Sequence, residues 1–129
     1  MAALSKVGRF LYAIPMAVFG LLHFMNGAAM AGMVPIPGGV LWVYVTGAAL
    51  LGAALAVLTG KQAELATRLL GLMLLIFALT IHLPGVMGAP DQMAMMASMS
   101  NLLKDTALAG GAWILSGVVG SGAGGGGSA

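Results

Sequence analysis

Six side chains in this apolar sequence combine a type and a position that could do chemistry together: His23, Asn26, Tyr44, His82, Lys104 and Asp105. Two imidazoles, an ammonium, a carboxylate, a phenol and an amide can donate and accept hydrogen bonds. The imidazoles can also carry protons near neutral pH and ligate iron. Their spacing is regular. His23 follows Arg9 by 14 residues, His82 follows Arg68 by 14, and Lys104 precedes Val118 by 14. In helices rising about 1.5 Å per residue, all three lie about 21 Å from one common boundary. Thr46 falls at a similar level, Tyr44 slightly beyond it, Asn26 one turn past His23, and Asp105 beside Lys104.

The elements that hold these residues follow from composition. The chain has 129 residues, 60% hydrophobic and 6% charged, with a mean hydropathy of +1.06. A soluble domain carries about a quarter charged residues. So little charge cannot clothe a surface in water, and the chain reads as an integral membrane protein. At about 20 residues per span, the length predicts an all-α, antiparallel four-helix bundle in lipid. The spans fall at about 9–33, 40–59, 65–87 and 98–118, within one domain over 1–119. Residues 120–129 form a Gly/Ser tract with the composition of a flexible or engineered linker. The net charge of +2 is the balance of five basic and three acidic residues, and the basic ones act as topology signals and not as a nucleic-acid surface. Cysteine is absent, which excludes disulfides, thiol catalysis and cysteine-ligated clusters. No phosphate loop or nucleophile motif points to kinase or hydrolase chemistry. Lys6 and Arg9 before an apolar run imitate a signal peptide, and Ala28-Ala29-Met30-Ala31 imitates a cleavage site. The run from Phe10 to Val34 is too long for that reading.

Lys6, Arg9, Lys61 and Arg68 gather at one end of the spans, so the positive-inside rule predicts both termini in the cytoplasm. The turn Val34–Gly39 and the loop Gly88–Gln92 then face outward. Pro15 lies early in span one and can bend it. Trp42 and Tyr44 read as interfacial aromatics. Ala48, Gly52 and Ala56 recur every four residues, as a face that lets another helix approach, and Ala107 with Gly111 make a second such face.

Every span thus places a polar group in one layer, and polar groups in lipid turn toward the bundle interior or a wet cavity. Blander readings apply to each alone. A histidine near a helix end is commonly interfacial, Lys104 can snorkel or pair with Asp105 or Asp91, and Asp105 can offset a helix dipole. His23 and His82 together could ligate haem b axially, provided that the rings face each other. Met87, Met93, Met95, Met96 and Met99 cluster at the outward end. Thioethers suit Cu(I), but adaptable apolar packing is the favoured reading.

Three stretches carry a resemblance. Arg9-Phe10-Leu11 with Val18-Phe19-Gly20-Leu21-Leu22-His23-Phe24 and Gly27 resembles the first helix of the DoxX family of small four-span bacterial membrane proteins. Ala66-Thr67-Arg68-Leu69-Leu70 through Thr80-Ile81-His82 is similar to its third helix. Asn101-Leu102-Leu103-Lys104-Asp105-Thr106-Ala107-Leu108-Ala109-Gly110-Gly111-Ala112 is similar to its fourth, with Asp105 where Asn is commoner. The resemblance implies a bacterial cytoplasmic membrane protein that is redox-associated and binds a quinone. His23, Tyr44, His82, Lys104, Asp105 and Asn26 would surround the head group, and a small sulfur anion could meet the same Lys and His. Two other readings stand beside it: a haem b cytochrome with His23 and His82 axial, and a non-enzymatic scaffold. In the last, small-residue faces dock a protein partner or a second copy.

Overall fold

The computed structural model describes residues 2–128, with side chains for 3–120. The linker expectation for 120–129 therefore falls almost wholly outside the fully described residues. The chain folds into helices α1 (Ala2–Met25), α2 (Gly27–Met30), α3 (Val40–Thr59), α4 (Ala63–Phe77), α5 (Leu83–Met87) and α6 (Gln92–Ser128). No strand occurs among the described residues. Four stretches are long and apolar enough to cross a membrane: Ala3–Met25, Val40–Thr59, Ala63–Met87 and Gln92–Gly120. This is an all-α, membrane-type four-helix bundle. Its outward faces carry large apolar side chains such as Leu11, Leu55, Leu69 and Ile114, as lipid contact requires.

Three element boundaries depart from the sequence-based expectation. The first span breaks at Asn26, whose amide donates to the Leu22 carbonyl at 3.0 Å. Such a side chain competes with the helical ladder, and the chain continues as α2 and a 3₁₀ turn over Ala31–Met33. The fourth span begins six residues earlier than expected. Asp91 Oδ1 accepts the Ala94 N–H at 2.8 Å, an N-terminal cap that draws Gln92 and the methionines after it into the helix. The third span is not uniformly α-helical. Ala78–His82 forms a π turn, in which the Leu83 N–H reaches the Ala78 carbonyl five residues back. Pro84 supplies the reason. It has no N–H, and its ring crowds the carbonyl four residues earlier, so a wider turn relieves Thr80.

The helices pair as two hairpins. α1 packs along α3, α4 along α6, and α3 meets α4 between the pairs. Within the first hairpin the closest crossing is Gly20 on Gly47. A Cβ at Gly20 would stand 2.9 Å from the Gly47 carbonyl, and one at Gly47 would stand 3.0 Å from the Gly20 carbonyl. The expected face behaves differently: Ala48 and Gly52 are exposed, and nothing lies near a Cβ at Gly52. In the second hairpin, Trp113 Nε1 donates to the Arg68 carbonyl at 3.1 Å and its indole fills the space beside Gly71.

Small residues make the end nearest the termini dense. Ala13, Ala53, Ala54, Ala109 and Ala112 are buried there with Met16, Val57 and Leu70. Arg9 Nη2 donates to the Val57 carbonyl at 2.8 Å, serving the last turn of α3. Gly60 then reverses the chain at φ 79°, a left-handed conformation in which glycine carries no steric cost. Toward the opposite end the two hairpins separate, and the site lies in that gap.

Candidate functional site

A cavity of about 620 Å³ opens between the hairpins, in the half away from the termini. Its volume lies in the usual range for small-molecule sites, about 300–1,000 Å³. Apolar side chains dominate its wall, with Phe19, Phe77 and Trp42 as the aromatic surfaces and Leu50 and Leu74 on the floor. Five of the six residues singled out by sequence line it: His23, Asn26, His82, Lys104 and Asp105. Thr46 lines it as well.

Tyr44 does not reach the cavity. Its ring stacks on Phe24 at 5.6 Å between centroids and covers Gly27. Helical phase explains this, because Tyr44 and Thr46 are about 200° apart around α3 at 100° per residue. Their equal depth therefore could not place both on the inner face.

The π turn of the third span brings His82 to α6. Its Nε2 lies 2.9 Å from Asp105 Oδ2, and the two side chains are 17% and 9% exposed. Asp105 thus pairs across the bundle, which the adjacent Lys104 had obscured in the sequence. A carboxylate only accepts, so Nε2–H donates, and in the neutral ring Nδ1 keeps the lone pair.

His23 has the complementary arrangement. Its Nδ1 lies 2.7 Å from the Phe19 carbonyl one turn back. A carbonyl likewise only accepts, so Nδ1 carries the hydrogen and Nε2 holds the lone pair in the neutral ring. Every buried side-chain nitrogen or oxygen among the described residues has a hydrogen-bond partner. The unbonded Nε2 of His23 and Nδ1 of His82 are therefore accessible.

Lys104 crosses the gap. Its ammonium sits 5.1 Å from the centre of the Phe19 ring on α1 and 3.2 Å from Asn101 Oδ1 on its own helix. The expected pairing with Asp105 or Asp91 is not formed. The ion pairs among the described residues are Arg68–Glu64 and His82–Asp105. A cation over an aromatic face is held electrostatically, and here it bridges the hairpins at the rim of the cavity. One layer down, the Tyr12 hydroxyl donates to the Leu108 carbonyl and closes the same seam.

Sequence reasoning passed over Phe19, Trp42 and Asn101 as parts of the site. Trp42 reads as an interfacial aromatic in the sequence; in the structure it also lines the cavity, and its Nε1 donates to the Pro37 carbonyl at 2.7 Å, which ties the Pro-Gly turn down beside the opening. Phe19 lies four residues before His23, a spacing that places both on one helix face and could have flagged it.

The arrangement can hold an amphipathic small molecule with its ring among aromatic side chains and its polar atoms at the imidazoles and the ammonium. For axial ligation of a haem iron through Nε2, His82 would have to release Asp105. Among the described residues no group of three or more His, Cys, Asp or Glu side chains is arranged to hold a metal ion. Comparison of the chain with family models, curated proteins and solved structures returns no match.

Proposed function

We propose that this chain is a DoxX-like, redox-associated subunit of the bacterial cytoplasmic membrane whose cavity binds a quinone or a similar small aromatic molecule. The observation that carries the reading is the mostly apolar cavity whose polar groups are His23, the His82–Asp105 pair and Lys104. A bound quinone supplies two-electron redox chemistry. The chain's own residues orient it and manage protons. Lys104 offers hydrogen bonds to an oxygen of the ligand. His82, held in place by Asp105, can take or give a proton at Nδ1, and His23 can do so at Nε2. Aromatic walls and the packed floor keep bulk water from the ring. The basic residues at the termini end support an N-in, C-in orientation, which puts the cavity in the outer half of the bilayer.

Mass spectrometry of lipid extracts from the purified protein is the test. Quinone is expected to copurify with the native chain and to fall in Lys104→Ala. Extracts free of quinone from both would overturn the proposal. A visible spectrum of the same sample separates the haem alternative, which requires a Soret band lost in His23→Ala.

The outward-facing Ala48 and Gly52 favour one second reading, a scaffold that docks a partner helix through α3. Partner capture lost in Gly52→Leu but kept in His23→Ala and His82→Ala would support it. Capture retained in Gly52→Leu would remove it.

A further inference from the structure

We infer that the cavity binds the hydroxyl-bearing, hydrogen-bond-donating form of an aromatic ligand, a hydroquinone-type head, in preference to its carbonyl form. The inference rests on reading the cavity as a quinone-type site and concerns which redox form it holds more tightly.

It follows from the polarity of the two imidazoles. The Phe19 carbonyl can only accept, so it fixes the hydrogen of His23 on Nδ1 and leaves Nε2 an acceptor. Asp105 does the same for His82 from the other side, engaging Nε2 and leaving Nδ1. Both free nitrogens are accessible, and both residues line the same cavity. The neutral site therefore presents two acceptors on opposite hairpins. Lys104 is the charged donor and already has Asn101 and the Phe19 ring as partners, while the Asn26 amide and the Thr46 hydroxyl in the same lining can donate or accept and so pair with either form of a ligand.

A carbonyl has no hydrogen to give. In the quinone form, a ligand satisfies Lys104 and leaves both imidazole acceptors facing it unpaired. A hydroxyl donates to an imidazole and can still accept from Lys104 through its oxygen. Closing a polar group against a ligand that cannot pair with it is what makes such sites reject the analogue. One further proton taken up by the His82–Asp105 pair would sit on Nδ1 and turn His82 into a donor. It does not alter His23, whose ring has no carboxylate partner among the described residues.

The experiment uses the full chain in lipid nanodiscs, without oxygen. Equilibrium dialysis measures the binding of a short-chain benzoquinol, the matching benzoquinone and the dimethyl ether of the quinol. The quinol is expected to bind about tenfold more tightly than the other two, the discrimination an unpaired acceptor gives. His23→Leu is expected to shrink that ratio toward one, and a ratio unchanged in this variant would overturn the inference. Quinone binding equal to or tighter than quinol in the native chain would overturn the inference and leave the quinone-site reading standing. Binding of none of the three would overturn both.

Discussion

The His82–Asp105 contact joins two helices at a buried position, so its energetics can be isolated. Removing either partner leaves the other buried and unsatisfied, at a cost of about 1–3 kcal/mol. His82→Ala and Asp105→Ala are each expected to lose that much in reversible unfolding from mixed micelles. The double variant should lose little more than one of the singles, with a coupling on the order of 1 kcal/mol. Strictly additive losses would show that the two side chains do not interact. Asp105→Asn keeps an oxygen for the imidazole N–H and removes only the charge, so it should stay near native stability. The sequence revealed these residues by depth alone. Counting along helices put His23, His82 and Lys104 in one layer, and the cavity collects them. Counting could not supply rotation, so Tyr44, at nearly the same depth, turns away to stack on Phe24. It could not reveal a partner on another helix either: Asp105 stands beside Lys104 in the chain, while its contact is His82.

At the scale of helices, the four spans could be read from hydropathy, because each needs about 20 apolar residues. Their irregularities could not be read so directly, since each has a local cause acting through tertiary fit. The π turn before Pro84 sets the phase that turns His82 toward α6. Pro84→Ala restores an N–H that can bond to the Thr80 carbonyl, and the segment is expected to relax toward α-helix. The His82–Asp105 coupling, measured again in that background, should fall. An unchanged coupling would show that the proline does not cause the turn. The small-residue faces teach a related lesson. Ala48, Gly52 and Ala56 have the right period for a crossing, yet the backbones meet at Gly20 and Gly47, because period marks a face without saying which neighbour it meets. Gly47→Val inserts atoms where no space exists and is expected to cost about 1–3 kcal/mol. Gly52→Ala meets nothing within reach. It should be neutral, or stabilising by up to about 1 kcal/mol, from helix propensity. Equal losses in the two variants would place the crossing elsewhere.

The whole molecule is two hairpins fused tightly at one end and held apart at the other. Alanines let the helices close up near the termini, while the larger side chains Phe19, Trp42 and Phe77 line the gap at the far end. Across the α1–α6 seam the side-chain ties described are the Tyr12 bond to the Leu108 carbonyl and Lys104 over Phe19. Neither is an ion pair. Both lie beside the cavity, so the width of the gap should depend on them and on whatever fills it. The chain has no cysteine, which lets two introduced thiols report on this width without background. Leu21 on α1 and Leu103 on α6 are 52% and 61% exposed, so spin labels there disturb little packing. Tyr12→Phe deletes the hydroxyl and nothing else. It is expected to broaden the Leu21–Leu103 distance distribution measured by pulsed electron resonance, and Lys104→Met should broaden it further. A benzoquinol occupying the cavity should narrow the native distribution. Distributions that stay the same across all these samples would mean that the bundle is rigid along its length. The seam would then play no part in admitting a ligand, and access would have to run from the Pro-Gly turn, past the Trp42 indole.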